Sequence, residues 1–354
     1  MLGVLDVPRY AAVNARVRGR IGRLLPPARW RILLNASDSG EFLQYLSGTA
    51  YRPVLAAMVM ERPDLGEIER RLWQHLAQAY RAPLPFMPGG SKDLLAWLWR
   101  RFEVNNLKTI LRGVKGGAPP AQIRRTLVPL GSDSELPWKT LTDLASVPVV
   151  VERLEGSFYG SALEPGLERY RREELLFPLE IRLDLAYFRQ LLRFVEALRG
   201  RDRKEAQRFT GVMVDSQNVS WAFRYRIYDD FSPEEILNYT LRKGVRADAS
   251  VIRQIAAGAS VLPTLQNVWG ESLPGLRRLV GLPDKQALLE MERIFDRYFY
   301  NEATETLKGY SLHLGIVLAY VALQETEVKD LVSVLEGIAA NWSPDRIHAY
   351  RIAG

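Results

Sequence analysis

The chain repeats itself, and this limits its fold more than any other feature. The stretch "RFEVNNLKTIL" at 101–111 sets an acid, two spacers, an amide and an aliphatic residue in order. The same order returns as "DSQNVSWAF" at 215–223 and as "EVKDLVSVL" at 327–335, where an acid takes the amide's place. Glu103, Asp215 and Glu327 stand 112 residues apart each time (215 − 103, 327 − 215), so one period divides the 354 residues into near thirds. Each third is therefore one supersecondary unit, copied twice.

The flanks repeat too. "GVKGGAPPAQIRRTL", "RIYDDFSPEEILNYTL" and "GIAANWSPDRIHAYRI" each pass through a small or polar break into a proline and a new helix. Ser232, Pro233 and Glu235 have the order of a capping box with proline at the first helical position, and Ser343-Pro344 follows suit. Pro120 and Pro344 lie 17 residues after their acids but Pro233 lies 18 after Asp215, so the middle turn carries one extra residue. Upstream, "LDLAYFRQLL" and "IFDRYFYNEA" place Asp184 and Asp296 one period apart, and "LSGTAYRPVL" from Leu46 echoes weakly in "LEGSFYGSAL" from Leu154.

The periodicity is helical. Leu107, Ile110, Leu111 and Val114, and again Leu331, Val334, Leu335 and Ile338, fall at i, i+3, i+4 and i+7. In the second copy Val219, Ala222 and Phe223 fit but Arg226 takes the fourth place. "GEIERRLWQHLAQAY" and "YFRQLLRFVEALRG" add amphipathic helices, and "SVPVVV" at 146–151 reads as a loop or helix start. Breaks are expected at "PLPFMPGGS" (83–91), "LEPG" (163–166) and "SLPG" (272–275). The expectation is an all-α protein of three similar multi-helix units, 1–130, 131–245 and 246–354.

Composition removes several functions. Cysteine is absent, which excludes disulfides and thiolate metal sites and suits a cytoplasmic setting. The three histidines, His75, His313 and His348, show no ligand spacing, which argues against a histidine metal site or a Ser-His-Asp triad. Asp6, Pro8 and Arg9 interrupt any secretory signal at the N-terminus, and the longest apolar run, "LGIVLAYVAL" at 314–323, is half of the roughly 20 residues a spanning helix needs. The net charge of +7 favours an acidic partner, nucleic acid or anionic lipid, although the arginines are scattered through helical patterns as on a solvated face. "PGGSKDLL" at 88–95 lacks the spacing and preceding strand of a phosphate loop and reads as a loop with Ser91 capping the next helix.

The repeated polar residues admit two roles. Glu103 and Asn106 share a helix face beside Leu107 and Ile110, half buried, where a carboxylate serves as a general acid or metal ligand, or else ties its helix to a neighbour. The second role fits better. An active site is normally built once whereas this motif comes in triplicate, its second member varies (Asn106, Asn218, Asp330), and no base, nucleophile or ligand cluster recurs beside it. The expectation is thus a structural signature of Glu103, Asn106, Arg112, Asp215, Asn218, Arg224, Glu327 and Asp330, with no catalytic, cofactor or metal site.

The blocks "YAAVNARVRGRIGRLL", "FEVNNLKTILRG", "VDSQNVSWAFR" and "LGIVLAYVALQETEVKDLVSVLEG", in this order, resemble the central-stalk subunit of V-type and archaeal-type rotary ATPases, called C in prokaryotes and d in eukaryotes. The resemblance covers essentially the whole chain. It departs at Asp330, at Glu336 where the other copies have Arg112 and Arg224, and at Arg226. It implies three helical domains in pseudo-threefold array as a funnel, and a non-catalytic rotor part without nucleotide or cofactor. Such a part sits peripherally at the cytoplasmic face of the membrane. It would join shaft subunits of D and F type to the proteolipid ring and transmit torque, binding no nucleic acid. The competing reading is a free helical-repeat scaffold for an acidic partner or nucleic acid.

Overall fold

The computed structural model describes residues 6–56, 58, 64–228, 231–241, 243–309 and 312–353. These contain nineteen α-helices and no strand, so the fold is all-α as expected. Residues 1–5, on which the reading against a secretory signal partly rests, lie outside them.

The chain opens with α1 (Asp6–Ile21), α2 (Pro27–Leu33), α3 (Ser39–Leu46), α4 (Arg52–Leu55) and α5 (Leu65–Arg81), then α6 (Gly89–Trp99), α7 (Arg101–Lys115) and α8 (Pro120–Thr126). It continues through α9 (Trp138–Thr142), α10 (Val147–Arg153), α11 (Phe158–Glu173), α12 (Phe177–Ala197), α13 (Gly200–Ile227) and α14 (Pro233–Asn238). It closes with α15 (Ala249–Ala256), α16 (Val261–Trp269), α17 (Asp284–Lys308), α18 (Leu314–Ala339) and α19 (Pro344–Tyr350).

Local chemistry sets many of these limits. Free amides at helix starts take side-chain acceptors: Asp38, Asp64, Ser157, Asp248 and Ser343 cap α3, α5, α11, α15 and α19. Ser232 and Glu235 form the full capping box on α14. "SVPVVV" is the start of α10, with Pro148 in its first turn.

Two local expectations fail. "LEPG" does not break the chain: Pro165 lies inside α11, and Gly166 lets α12 lie so close that a Cβ there would come 2.9 Å from Arg182 and 3.0 Å from Leu179. Packing that close outweighs the backbone hydrogen bond the proline forfeits. Nor does Ser91 cap a helix; α6 starts at Gly89 without a side-chain cap, and Ser91 is fully buried.

Packing is cyclic. α7 lies against α10 and α12, α13 against α15 and α17, and α18 against α3 and α5, so the third arrangement returns to the start of the chain. α18 is buried almost throughout, from Leu314 to Ile338, beneath α1, α5, α13 and α17. This coverage is why its first half is so apolar. No described helix is long and apolar enough to cross a membrane.

Candidate functional site

Three helix starts meet at one carboxylate. Asp202, in the first turn of α13, accepts from Tyr10 of α1 (2.7 Å) and Ser91 of α6 (3.1 Å) through Oδ2, and from the Leu314 amide that begins α18 (3.3 Å) through Oδ1. Arg9 stands 3.5 Å away. The positive ends of α6, α13 and α18 thus share a buried anion, which favours their convergence. Sequence reasoning missed this node, although Asp202 and Leu314 lie one period apart.

Along the same helices, the signature residues fasten the segments that follow. Asn106 donates from Nδ2 to the Val128 carbonyl and accepts the Val128 amide, both at 2.9 Å. Asn218 does the same to Leu241, at 3.0 and 2.7 Å. The reach is 22 residues in the first copy and 23 in the second, so the extra turn residue seen in sequence is absorbed here. Asp330 has no donor when ionised, and accordingly takes two amides, Ile352 at 2.6 Å and Ala353 at 3.2 Å. Burial raises the carboxyl of Asp330, opposed by those amides and Arg351.

The acids reach further. Glu103 accepts from Ser134 (2.5 Å) and from Tyr159 at the start of α11. Asp215 accepts the Val245 and Arg246 amides, both at 2.8 Å, and burial raises it too. Glu327 accepts the Leu25 amide (2.5 Å) and the Tyr51 hydroxyl (2.8 Å), with Gln324 Nε2 at 3.4 Å. Burial pushes the Glu327 carboxyl up to about 7 against those bonds. Glu103, Asn106, Asp215, Asn218, Glu327 and Asp330 are fully buried rather than half buried. The helices that carry them are covered on the polar side as well, by the next third of the chain. Tyr51 and Tyr159 occupy the same place in the weak echo of Leu46 and Leu154, the one sequence sign of these partners.

Arg112 and Arg224 stand at the outer ends of their helices. Arg112 forks onto Glu180 of α12 (2.6 and 2.7 Å) and Arg224 reaches Glu292 of α17 (2.5 Å), each 68 residues on. One period away the chain has Glu336, exposed, and Ile68, buried, so this pair does not recur. Arg226, which breaks the second stripe, binds the last carbonyls around α15, those of Ile255 (3.0 Å) and Ala259, and pairs with Asp284 at 2.6 Å.

Between the inner helices is a cavity of about 540 Å³. Its walls come from α5 (Trp73), α7 (Arg101, Asn105, Lys108), α12 (Asp184), α13 (Ser216, Gln217, Arg224), α17 (Glu292, Asp296) and α18 (Glu325, Lys329). Lys108 pairs with Asp184 at 2.8 Å, Arg101 with Glu325 at 2.8 Å, and Lys329 with Asp296 at 2.7 Å and Glu325 at 3.4 Å. Burial would raise Glu325, but Arg101 and Lys329 outweigh it and hold the carboxyl at about 2. Asp184 and Asp296 match in sequence yet differ in partner, since Ser220 replaces lysine one period after Lys108. Every wall charge named is matched by an opposite one. Among the described residues no three His, Cys, Asp or Glu are grouped to hold a metal.

Comparison with known proteins shows the family. Residues 13–350 match the family model described as ATP synthase (C/AC39) subunit. The C subunit of the A-type ATP synthase of Methanocaldococcus jannaschii is 23% identical over 352 residues, covering 99% of this chain and 88% of that one. Its counterparts in Haloferax volcanii and Halobacterium salinarum are each 28% identical, over 97% and 96% of this chain and 96% of their own. With nearly its whole length matched, the chain belongs to the ATP synthase (C/AC39) subunit family, a non-catalytic structural subunit of the rotary ATPase complex.

Proposed function

We propose that this chain is the rotor adaptor of its complex: three helical units, with limits near 130 and 245, form a funnel that holds the shaft, of D and F type subunits, on one side. The other side seats on the proteolipid ring, at the cytoplasmic face of the membrane. The observation that carries this reading is cyclic closure. Helix starts gather at Asp202, residues about three turns further along wall the charged cavity, and each signature acid reaches into the next third of the chain, the last one returning to Leu25 and Tyr51. A closed ring of packed helices resists twisting, because no free edge can open under load.

The eight signature residues serve on this reading as internal fasteners, the acids and amides accepting from donors of the chain while Arg112 and Arg224 donate to Glu180 and Glu292. Torque then passes through the inner helices. The test is a complex reconstituted with and without this chain. With it, the shaft and ring subunits co-purify and ATP hydrolysis drives ion transport; without it, the head still hydrolyses ATP but transport is lost. Coupled transport in its absence would overturn the proposal.

A further inference from the structure

A second, smaller cavity of about 140 Å³ lies away from the central one, between α17, the "SLPG" turn and the C-terminal segment. Four arginines line it: Arg278, Arg293, Arg297 and Arg351. Among the described residues that line it there is no carboxylate. The nearest acids leave the excess positive charge standing. Glu290 serves two guanidiniums at once, at 3.4 Å from Arg278 and 3.5 Å from Arg293. Asp330, 3.5 Å from Arg351, is already engaged by two amides. Arg297 donates to the Arg351 carbonyl at 3.1 Å, a neutral partner.

Arg351 is only 6% exposed, and its buried Nε is held in an ion pair with Asp330 at 3.5 Å. The arrangement is stiff. The Arg293 guanidinium lies 3.9 Å from the Tyr350 ring centre, and Arg351 lies 4.0 Å from that of Trp30. Stacked guanidiniums lose little further freedom on binding, and their planar forks match tetrahedral oxyanions. Like charges held this close cost stability unless an anion is present to share them.

We propose that this arginine pocket binds a phosphate group. The cavity is small and its charged lining is guanidinium, which suits a compact tetrahedral oxyanion. The group comes either from free phosphate or from the headgroup of an anionic phospholipid, which a peripheral subunit meets at the bilayer surface. The headgroup source rests on the membrane placement proposed above; the free-phosphate source does not.

The test uses the full chain in two arms. In the first, thermal melts compare inorganic phosphate with chloride at equal ionic strength; saturating phosphate should raise Tm by about 2 °C. In the second, the chain is sedimented with neutral phosphatidylcholine vesicles and with vesicles containing phosphatidic acid. Both arms are repeated with Arg278→Gln, whose side chain is half exposed, with Arg293→Ala, and with Arg253→Ala, an equal loss of charge outside the pocket.

A phosphate effect reduced fivefold or more by the pocket variants but not by Arg253→Ala supports the site and free phosphate as its ligand. Sedimentation with phosphatidic acid lost in the same selective way supports the site and the headgroup. Neither effect, or effects that the pocket variants leave intact, would overturn the proposal. Melts in chloride establish that each variant is folded, and Arg278→Gln alone suffices if Arg293→Ala is not.

Discussion

Two joints of the ring are built differently. Where α7 meets α12, the partners are joined through the intervening chain, and a forked surface pair, Arg112 with Glu180, lies across them. Where α18 meets the first third of the chain, at α5, at Arg101 of α7 and at Leu25 and Tyr51, the partners come from opposite ends of the chain, 302 residues apart at the Leu25–Glu327 bond, and the surface pair is missing. In its place the joint has polar groups largely withdrawn from water: Arg101 and Tyr80 on Glu325, which is part-buried, and Tyr51 and Leu25 on Glu327, which is buried. A contact between nearby segments forms at modest entropic cost, whereas one that closes a long loop costs more. Such a joint needs directional bonds away from water, where losing one is expensive.

The largest effect should therefore come from the part-buried Arg101–Glu325 pair of the closing joint. Arg101→Met leaves Glu325 with Lys329 as its cation, and should cost about 2–3 kcal/mol in urea unfolding, between the values for an exposed and a buried pair. The double variant Arg101→Met, Glu325→Met should recover most of that, because it removes the carboxylate along with the guanidinium it has lost, while Lys329 keeps Asp296. A single variant costing less than about 1 kcal/mol would mean that the closing joint does not depend on this pair.

Acidity should separate the joints next. Glu327 titrates near 7 in the folded chain against an ordinary 4.5, so between those values the folded state holds a proton that the unfolded state has released. The stabilisation is complete below pH 4.5 and is lost as pH rises through 7, about 3 kcal/mol in all. Glu327→Gln keeps an acceptor for the Leu25 amide and a polar partner for Tyr51 but cannot titrate. Unfolding free energies of this variant should lose that slope; an unchanged profile would move its source elsewhere, with Asp184, Asp215 and Asp330, all raised by burial, the next groups to examine.

Sequence alone carried the repeat and helix class far, and the joints hardly at all. The stripe of Leu107, Ile110 and Leu111 and the Ser232 box are local, set by periods of three and four residues, and they stand in the structure as written. The partners of the signature residues are not local. Tyr159 and Tyr51 were visible as a faint echo, but nothing in that echo says that one meets Glu103 and the other Glu327. Ser91 and Pro165 show the same limit from the other direction, since each obeys a contact with a distant helix over its local preference. Arg101 and Glu325 occupy the same place in their repeats, so the symmetry that revealed the units hid the charge exchange between them.

The smallest effect should fall on the surface pairs, where the two joints are most unlike in appearance. Arg112 and Arg224 remain more than half exposed while bonded to Glu180 and Glu292, so water competes for both partners and salt screens them. Arg112→Ala and Arg224→Ala should each cost about 0.5 kcal/mol or less, and that cost should fade in 1 M salt. Glu336→Arg adds the missing arginine one period on, but Ile68 supplies no carboxylate for it. It should therefore gain nothing, unless Glu is also placed at 68, which would bury a charge in the core. The third joint thus lacks its clamp for a definite reason: position 68 packs against the core, and there an apolar side chain contributes more than an exposed ion pair can.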